Sequence, residues 1–185
     1  MKKMFYFVKI TLVLLLIASL TAALLAFVNR MTVDVIDENT EAERNEAIEE
    51  IFSEMSSTAP IDMTLPDSVN AAYSVLDANG EIIGYCVDAN GYGYGSDAIN
   101  ILVGIGVDGK VVDTKVIAHS ETPGLGSKAT EPSFLSQFAS RSGSLSVTKD
   151  GGDIDAVAGA TVSSRAITAG VSAALSLGLG SEGGE

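Results

Sequence analysis

A chain of 185 residues with 46% hydrophobic side chains can build one ordinary domain and a short extra segment. The net charge of −13 is uneven: residues 1–30 hold four cations and no acid, so the rest carries −17, which excludes nucleic-acid binding by repulsion. One cysteine (Cys86) and one histidine (His119) exclude an internal disulfide and a cysteine-held cluster, and argue against a histidine-ligated metal, so any redox chemistry needs an organic cofactor.

The first element is apolar. Ile10 to Val28 contains no charged residue, and nineteen residues in a helix span about 28 Å at ~1.5 Å each, close to a bilayer's hydrocarbon thickness. Lys2, Lys3 and Lys9 before or at the start of this run put the N-terminus in the cytoplasm and everything after Arg30 outside it. A cleaved signal peptide is the competing reading. The run is long for a signal's apolar region, and Ser19-Leu20-Thr21-Ala22-Ala23 is a poor cleavage site, which favours an uncleaved anchor over residues 1–30.

Asp37 is placed to cap a helix from about Glu38 to Met55, with Ile48, Ile51, Phe52 and Met55 on one face. Pro60 and Pro66 mark Ser56–Asp67 as a loop, so residues 31–67 read as an acidic linker and residues 68–180 as the domain proper. Ala71–Leu76 and Glu81–Val87 flank Asn79-Gly80, and Ile99–Val107 and Lys110–Ala118 flank Asp108-Gly109, predicting two hairpins. Alternation at Ile99, Ile101, Val103, Ile105 and Val107 predicts one buried face, and Cys86 reads as a buried strand residue. A short helix around Phe134–Ala139, a last helix from about Val162 to Leu177 and a frayed Gly-rich tail (178–185, with 181–185 flexible) follow. The class expected is α+β: an antiparallel sheet with packed helices, preceded by one transmembrane helix.

Three polar islands exceed what strands and helices need. In Asp155-Ala-Val-Ala-Gly-Ala-Thr-Val-Ser-Ser, Gly159 and Ala160 leave room for a close ligand. Thr161, Ser163 and Ser164 there head a helix whose free N–H groups and dipole favour a phosphate. Taken alone, Thr161 reads more readily as an N-cap. His119-Ser-Glu-Thr-Pro-Gly-Leu-Gly-Ser-Lys packs His119, Glu121, Thr122 and Lys128 around a tight turn set by Pro123, Gly124 and Gly126. Gly91-Tyr-Gly-Tyr-Gly-Ser-Asp pairs a flexible backbone with the flat faces of Tyr92 and Tyr94, suited to a planar ring or to a plain surface loop.

The order Gly-Tyr-Gly loop, buried strand pair, Glu-Thr-Pro-Gly-Leu-Gly (121–126) and Asp-x-x-x-Gly-Ala-Thr (155–161) resembles the FMN-binding domain found in the G component of the Rnf/Rsx electron-transport complex. The C component of the sodium-translocating NADH:quinone reductase is similar but usually longer. The resemblance covers essentially the whole chain, anchor included. It implies that a flavin transferase moves FMN from FAD onto Thr161 as a phosphoester, with Asp155, Gly159 and Ala160 as the recognition motif. Ala158 departs from the family's usual Ser or Thr. From loop position, His119 and Lys128 are candidates to meet the flavin's polar groups, and Leu125 with Tyr92 or Tyr94 to pack on its ring. The implied role is a membrane-anchored subunit relaying electrons within an ion-translocating ferredoxin:NAD oxidoreductase, alongside other membrane subunits and with its FMN domain extracytoplasmic. No nucleophile–base pair is visible, consistent with a relay that is not catalytic alone. A cofactor-free membrane-anchored binding or assembly protein and a free-standing extracytoplasmic flavin reductase are the alternatives.

Overall fold

No glycine or proline precedes Pro60, so nothing in the first fifty residues interrupts a helix. In the computed structural model, helix α1 accordingly covers Lys2–Ile51. The structure describes residues 2–180, with side chains over 7–30 and 43–180. Asp37 lies inside α1 and does not start a helix, because no breaker precedes it. The expected flexible segment 181–185 lies outside the described residues.

The chain divides into two compact units, residues 1–42 and 43 onward. In the first, Phe7–Arg30 is long and apolar enough to cross a membrane, and its described side chains are exposed.

The second unit is a five-stranded antiparallel meander, β1 (Ser57–Pro60), β2 (Val69–Leu76), β3 (Ile82–Gly91), β4 (Ile99–Gly106) and β5 (Val111–Ala118), in that spatial order. Both expected hairpins form. Asp77 accepts hydrogen bonds from the N–H groups of Asn79 (2.8 Å) and Glu81 (2.9 Å), and Gly80 takes the φ of +81° that closes this turn. The pairing of β3 with β4, from Gly84↔Gly106 to Gly91↔Ile99, joins the hairpins into one sheet.

Two expectations are corrected at the ends of the domain. The stretch expected as loop contains β1, whose Pro60 is tolerated because the strand lies at the sheet edge. The compact unit that contains the sheet begins at Glu43. The tail is packed at its start: Leu177 and Leu179 pack on the core, and a Cβ on Gly180 would run into the Gly106 carbonyl.

β4 is buried on both faces. Ile99, Ile101, Val103 and Ile105 face one core, while Leu102 joins another; Val107 lies beyond the strand and is exposed. The first core is closed by helix α3 (Thr161–Leu175), through Ile167, Val171 and Ala174, and by Phe134 and Phe138. These two rings meet edge-to-face at 5.5 Å, in a segment made of α2 (Pro132–Leu135) and a 3-10 turn, Ser136–Phe138. The second core holds Ile48, Ile51 and Phe52 against Val75, Cys86 and Leu102. Gly84 makes room for it, since a Cβ there would lie 2.5 Å from the Phe52 ring. Burial, with Asp88 nearby, pushes the Cys86 thiol up, so it is an inert core residue.

What positions the site is the contact of α3 with β3. A Cβ on Gly91 would lie 2.6 Å from the Ala166 carbonyl carbon, so the helix backbone rests directly on the strand end. That fixes the first turn of α3 beside the loops leaving β3 and β5.

Candidate functional site

The three polar islands meet at one buried carboxylate. Glu121, 4% exposed, lies in the loop after β5. It accepts a hydrogen bond from Ser163 Oγ in the first turn of α3 (2.5 Å) and another from the Gly95 N–H in the loop after β3 (3.0 Å). Burial pushes its carboxyl up, but the bonds from Ser163, Gly95 and the Tyr94 N–H, with the neighbouring His119, outweigh it and hold the group below the usual range. The glycines around it are steric requirements. A Cβ on Gly93 would strike Glu121 Oε1, and one on Gly126 would strike Oε2 and lie 2.8 Å from Ser163 Oγ.

Beside this anchor is a cavity of about 390 Å³, within the range that holds a small organic ligand. Glu121, Thr122, Leu125 and Gly126 line it from the second island, Gly159 to Ser163 from the first, and Tyr94 from the third. Leu125 and Tyr94 are exposed at its rim (57% and 82%), which gives apolar and aromatic surface beside a polar floor. Gly124, at φ +74°, sets the turn and does not line the cavity; its N–H bonds to Ser127 Oγ (2.9 Å).

Thr161 is the first residue of α3, and the preceding Ala160 is the N-cap, with no side-chain cap bond. The capping reading of Thr161 is therefore corrected: its Oγ1 accepts a hydrogen bond from Lys149 Nζ (3.0 Å). The turn before it is held by Ser164, whose buried Oγ accepts from the Val157 N–H (3.0 Å) and donates to the Ala160 carbonyl (2.9 Å). Gly159 supplies the φ of +81°. Ser164 thus shapes the site without lining it.

Four other predicted residues lie outside the cavity. Asp155 is exposed and clasped through its backbone by Gln137, which donates to the Asp155 carbonyl (3.1 Å) and accepts from its N–H (2.8 Å). His119 Nδ1 accepts from the Glu121 N–H (3.3 Å) and so holds the loop. Lys128 is exposed in the 3-10 turn Gly126–Thr130. Tyr92 lines a second cleft, of about 480 Å³, which shares only Val162 with the first. Ala158 is exposed in the turn ahead of α3.

Sequence reasoning missed Lys149 and Val162. Val162 lines the cavity simply as the second residue of α3. Lys149 belongs to a 3-10 turn, Thr148–Asp150, twelve residues before Thr161, and its only advance signal was the turn-like Lys149-Asp150-Gly151-Gly152.

The site fits the flavin nucleotide that the resemblance implies. The first N–H groups of a helix have no acceptor within it and attract anions; at α3 they open beside a cation and a hydroxyl, next to a cavity with an aromatic and an aliphatic side chain at its rim.

Residues 93–176 match the family model of the FMN-binding domain, and residues 2–51 match that of the RnfG N-terminal region. Among curated proteins, the chain is 33% identical over 165 residues to the G component of the ion-translocating oxidoreductase complex of Methanosarcina acetivorans, covering 86% of this chain and 87% of that one. It is 29% identical over 182 residues to the G component of the Na⁺-translocating ferredoxin:NAD⁺ oxidoreductase complex of Acetobacterium woodii, covering 88% and 87%. Identity rises to 44% over 97 residues, about half of each chain, with the G component of the proton-translocating ferredoxin:NAD⁺ oxidoreductase complex of Clostridium ljungdahlii. With an apolar N-terminal helix, an antiparallel FMN-binding domain and this kinship along nearly its whole length, the chain belongs to the RnfG family of ion-translocating oxidoreductase complex components.

Proposed function

We propose that this chain is a membrane-anchored flavoprotein subunit that relays electrons through an FMN joined by its phosphate to Thr161, within an ion-translocating ferredoxin:NAD oxidoreductase complex. The observation that carries this reading is the place of Thr161: first residue of α3, lining the cavity, with its hydroxyl engaged by a cation and by no helix cap. An acceptor hydroxyl needs that combination of exposure, fixed backbone and a positive setting for the incoming phosphate.

The FMN ring, when bound, takes up and passes on one or two electrons; the protein's part is to hold it and set its surroundings. The free N–H groups at the start of α3 would hold the phosphate oxygens. Leu125 and Tyr94 offer surface for the ring. Glu121 ties the loops after β3 and β5 to the first turn of α3 and keeps a negative charge beside the cavity. Maturation calls for a flavin transferase acting on the motif that ends at Thr161. The cytoplasmic-side bias of Lys2, Lys3 and Lys9 supports a single-pass topology with the FMN domain outside the cytoplasm. There a covalent tether replaces a binding equilibrium with permanent occupancy, away from the cytosolic flavin pool. The other membrane subunits of the complex are the partners.

The test is denaturing electrophoresis under ultraviolet light of the chain produced with a flavin transferase. A fluorescent wild-type band and a dark Thr161→Val band are expected; a dark wild-type band would overturn the proposal.

A further inference from the structure

Lys149 reaches the hydroxyl of Thr161 from a separate turn, and that turn is built to hold it there. Residues 147 and 154 form a bridge, with the Thr148 N–H donating to the Ile154 carbonyl (2.8 Å) and both Val147 and Ile154 buried in the core. Gly151 closes the turn at φ +87°, and a Cβ on Gly152 would strike the Ser146 carbonyl, so the backbone here is tightly folded. The outer end is strapped to α3 itself. Arg165 Nε and Nη2 donate to the two carboxylate oxygens of Asp150, each at 2.6 Å. Arg165 follows Thr161 by four residues, so both lie on one face of α3, and the strap brings Lys149 over the helix start.

We infer that Lys149 is the positioning and charge-balancing residue for attachment of the flavin phosphate to Thr161. This rests on the assignment of Thr161 as the flavin acceptor and names a residue that the assignment does not include. Flavin transfer forms a bond from Thr161 Oγ1 to the phosphorus on the riboflavin side of FAD. The bond from that phosphorus to the oxygen of the AMP phosphate breaks, AMP leaves with the electron pair, and the hydroxyl proton passes to a base of the transferase or to solvent. The link formed is a phosphodiester with one negative charge. Before transfer, the cluster of Lys149, Arg165 and Asp150 carries one net positive charge, in a domain that is otherwise strongly acidic. Among the described residues Lys149 makes no contact ion pair: Arg165 takes both oxygens of Asp150, and Lys149 acts on that carboxylate only at longer range. The single charge of the phosphodiester neutralises what Lys149 leaves unbalanced. An ammonium donating to Oγ1 also fixes the hydroxyl rotamer, leaving its hydrogen and remaining lone pair for the reaction.

The test follows flavin incorporation into the full-length chain by in-gel fluorescence and intact mass, at limiting FAD and transferase, for wild type, Lys149→Gln, Lys149→Arg and Thr161→Val. Loss of a charge-assisted contact predicts that Lys149→Gln is labelled roughly ten- to a hundredfold more slowly than wild type, whereas Lys149→Arg is within about threefold. Lys149 is exposed, so both unmodified variants melt with wild type. A second readout is the rise in melting temperature on flavinylation, expected to be smaller in Lys149→Gln than in wild type. Equal labelling rates and equal rises for wild type and Lys149→Gln overturn the role of Lys149. A labelled Thr161→Val, or an unlabelled wild type, overturns the acceptor assignment itself.

Discussion

Glu121→Ala is expected to destabilise the domain by about 3 kcal/mol, because it strips the acceptor from Ser163 and from the backbone N–H groups of Gly95 and Tyr94 at once. Ser163 Oγ and the Gly95 N–H both end on this buried carboxylate. Chemical denaturation of the full chain in detergent measures the loss. Flavin incorporation falls with it, since the first turn of α3 and the loops after β3 and β5 lose their common anchor. The pH dependence carries a definite sign. The folded state holds the Glu121 carboxyl below its ordinary value, against the push of burial, so the ionised form is the one folding favours. Its contribution is fully present above the unfolded-state pKa, about 4.3, and is lost as pH falls through the lower folded-state value. The stability gap between wild type and Glu121→Ala therefore closes as the solution is acidified below about pH 4. A gap unchanged across that window would contradict an ionised Glu121 as the anchor.

Gly91→Val is expected to cost about 3 kcal/mol and roughly 10 °C in Tm. The added atoms meet backbone: a Cβ at this position overlaps the Ala166 carbonyl oxygen and lies 3.2 Å from the Ile167 nitrogen. No side chain can swing aside, so α3 must lift from β3. Because the first turn of that helix lines the cavity and carries Thr161, the substitution also lowers flavin incorporation. Thermal unfolding and in-gel fluorescence of the same preparation test both. A variant that melts with wild type would mean that α3 is not seated on the end of β3.

Much of this was legible in the sequence wherever one short stretch carried the whole signal. Gly80 and Gly109 supply the positive φ that ends each three-residue hairpin loop, and the strands beside them are β-branched and alternating, so both hairpins could be read locally. β1 could not. Four residues ending in Pro60 have no strand pattern of their own and become a strand only by pairing with β2. Asp37 misled because a capping residue marks a helix start only where the preceding chain is not already helical. Burial of Leu102 along with its β4 neighbours reflects a helix end packed on the second face, which alternation within β4 does not encode.

The same division runs through the site. The polar islands stood out because Glu121, Thr122, Thr161 and Ser163 sit where strand and helix packing has no use for them, and the structure brings these around one cavity. Lys149 was invisible because its place depends on a bridge between residues 147 and 154 and on the pairing of Asp150 with Arg165, both set by the tertiary fold. Tyr92 and Tyr94 were equivalent in sequence, yet two residues apart in one loop they line different clefts. His119 looked available for a ligand, but its Nδ1 is taken by the Glu121 N–H.

The most direct measurement is the intact mass of the full-length protein isolated from its native membrane, followed by fragmentation to place any modification. The predicted result is the chain plus one FMN less one water, with the added mass on Thr161. An unmodified chain, or a flavin carried on another residue, would contradict the account.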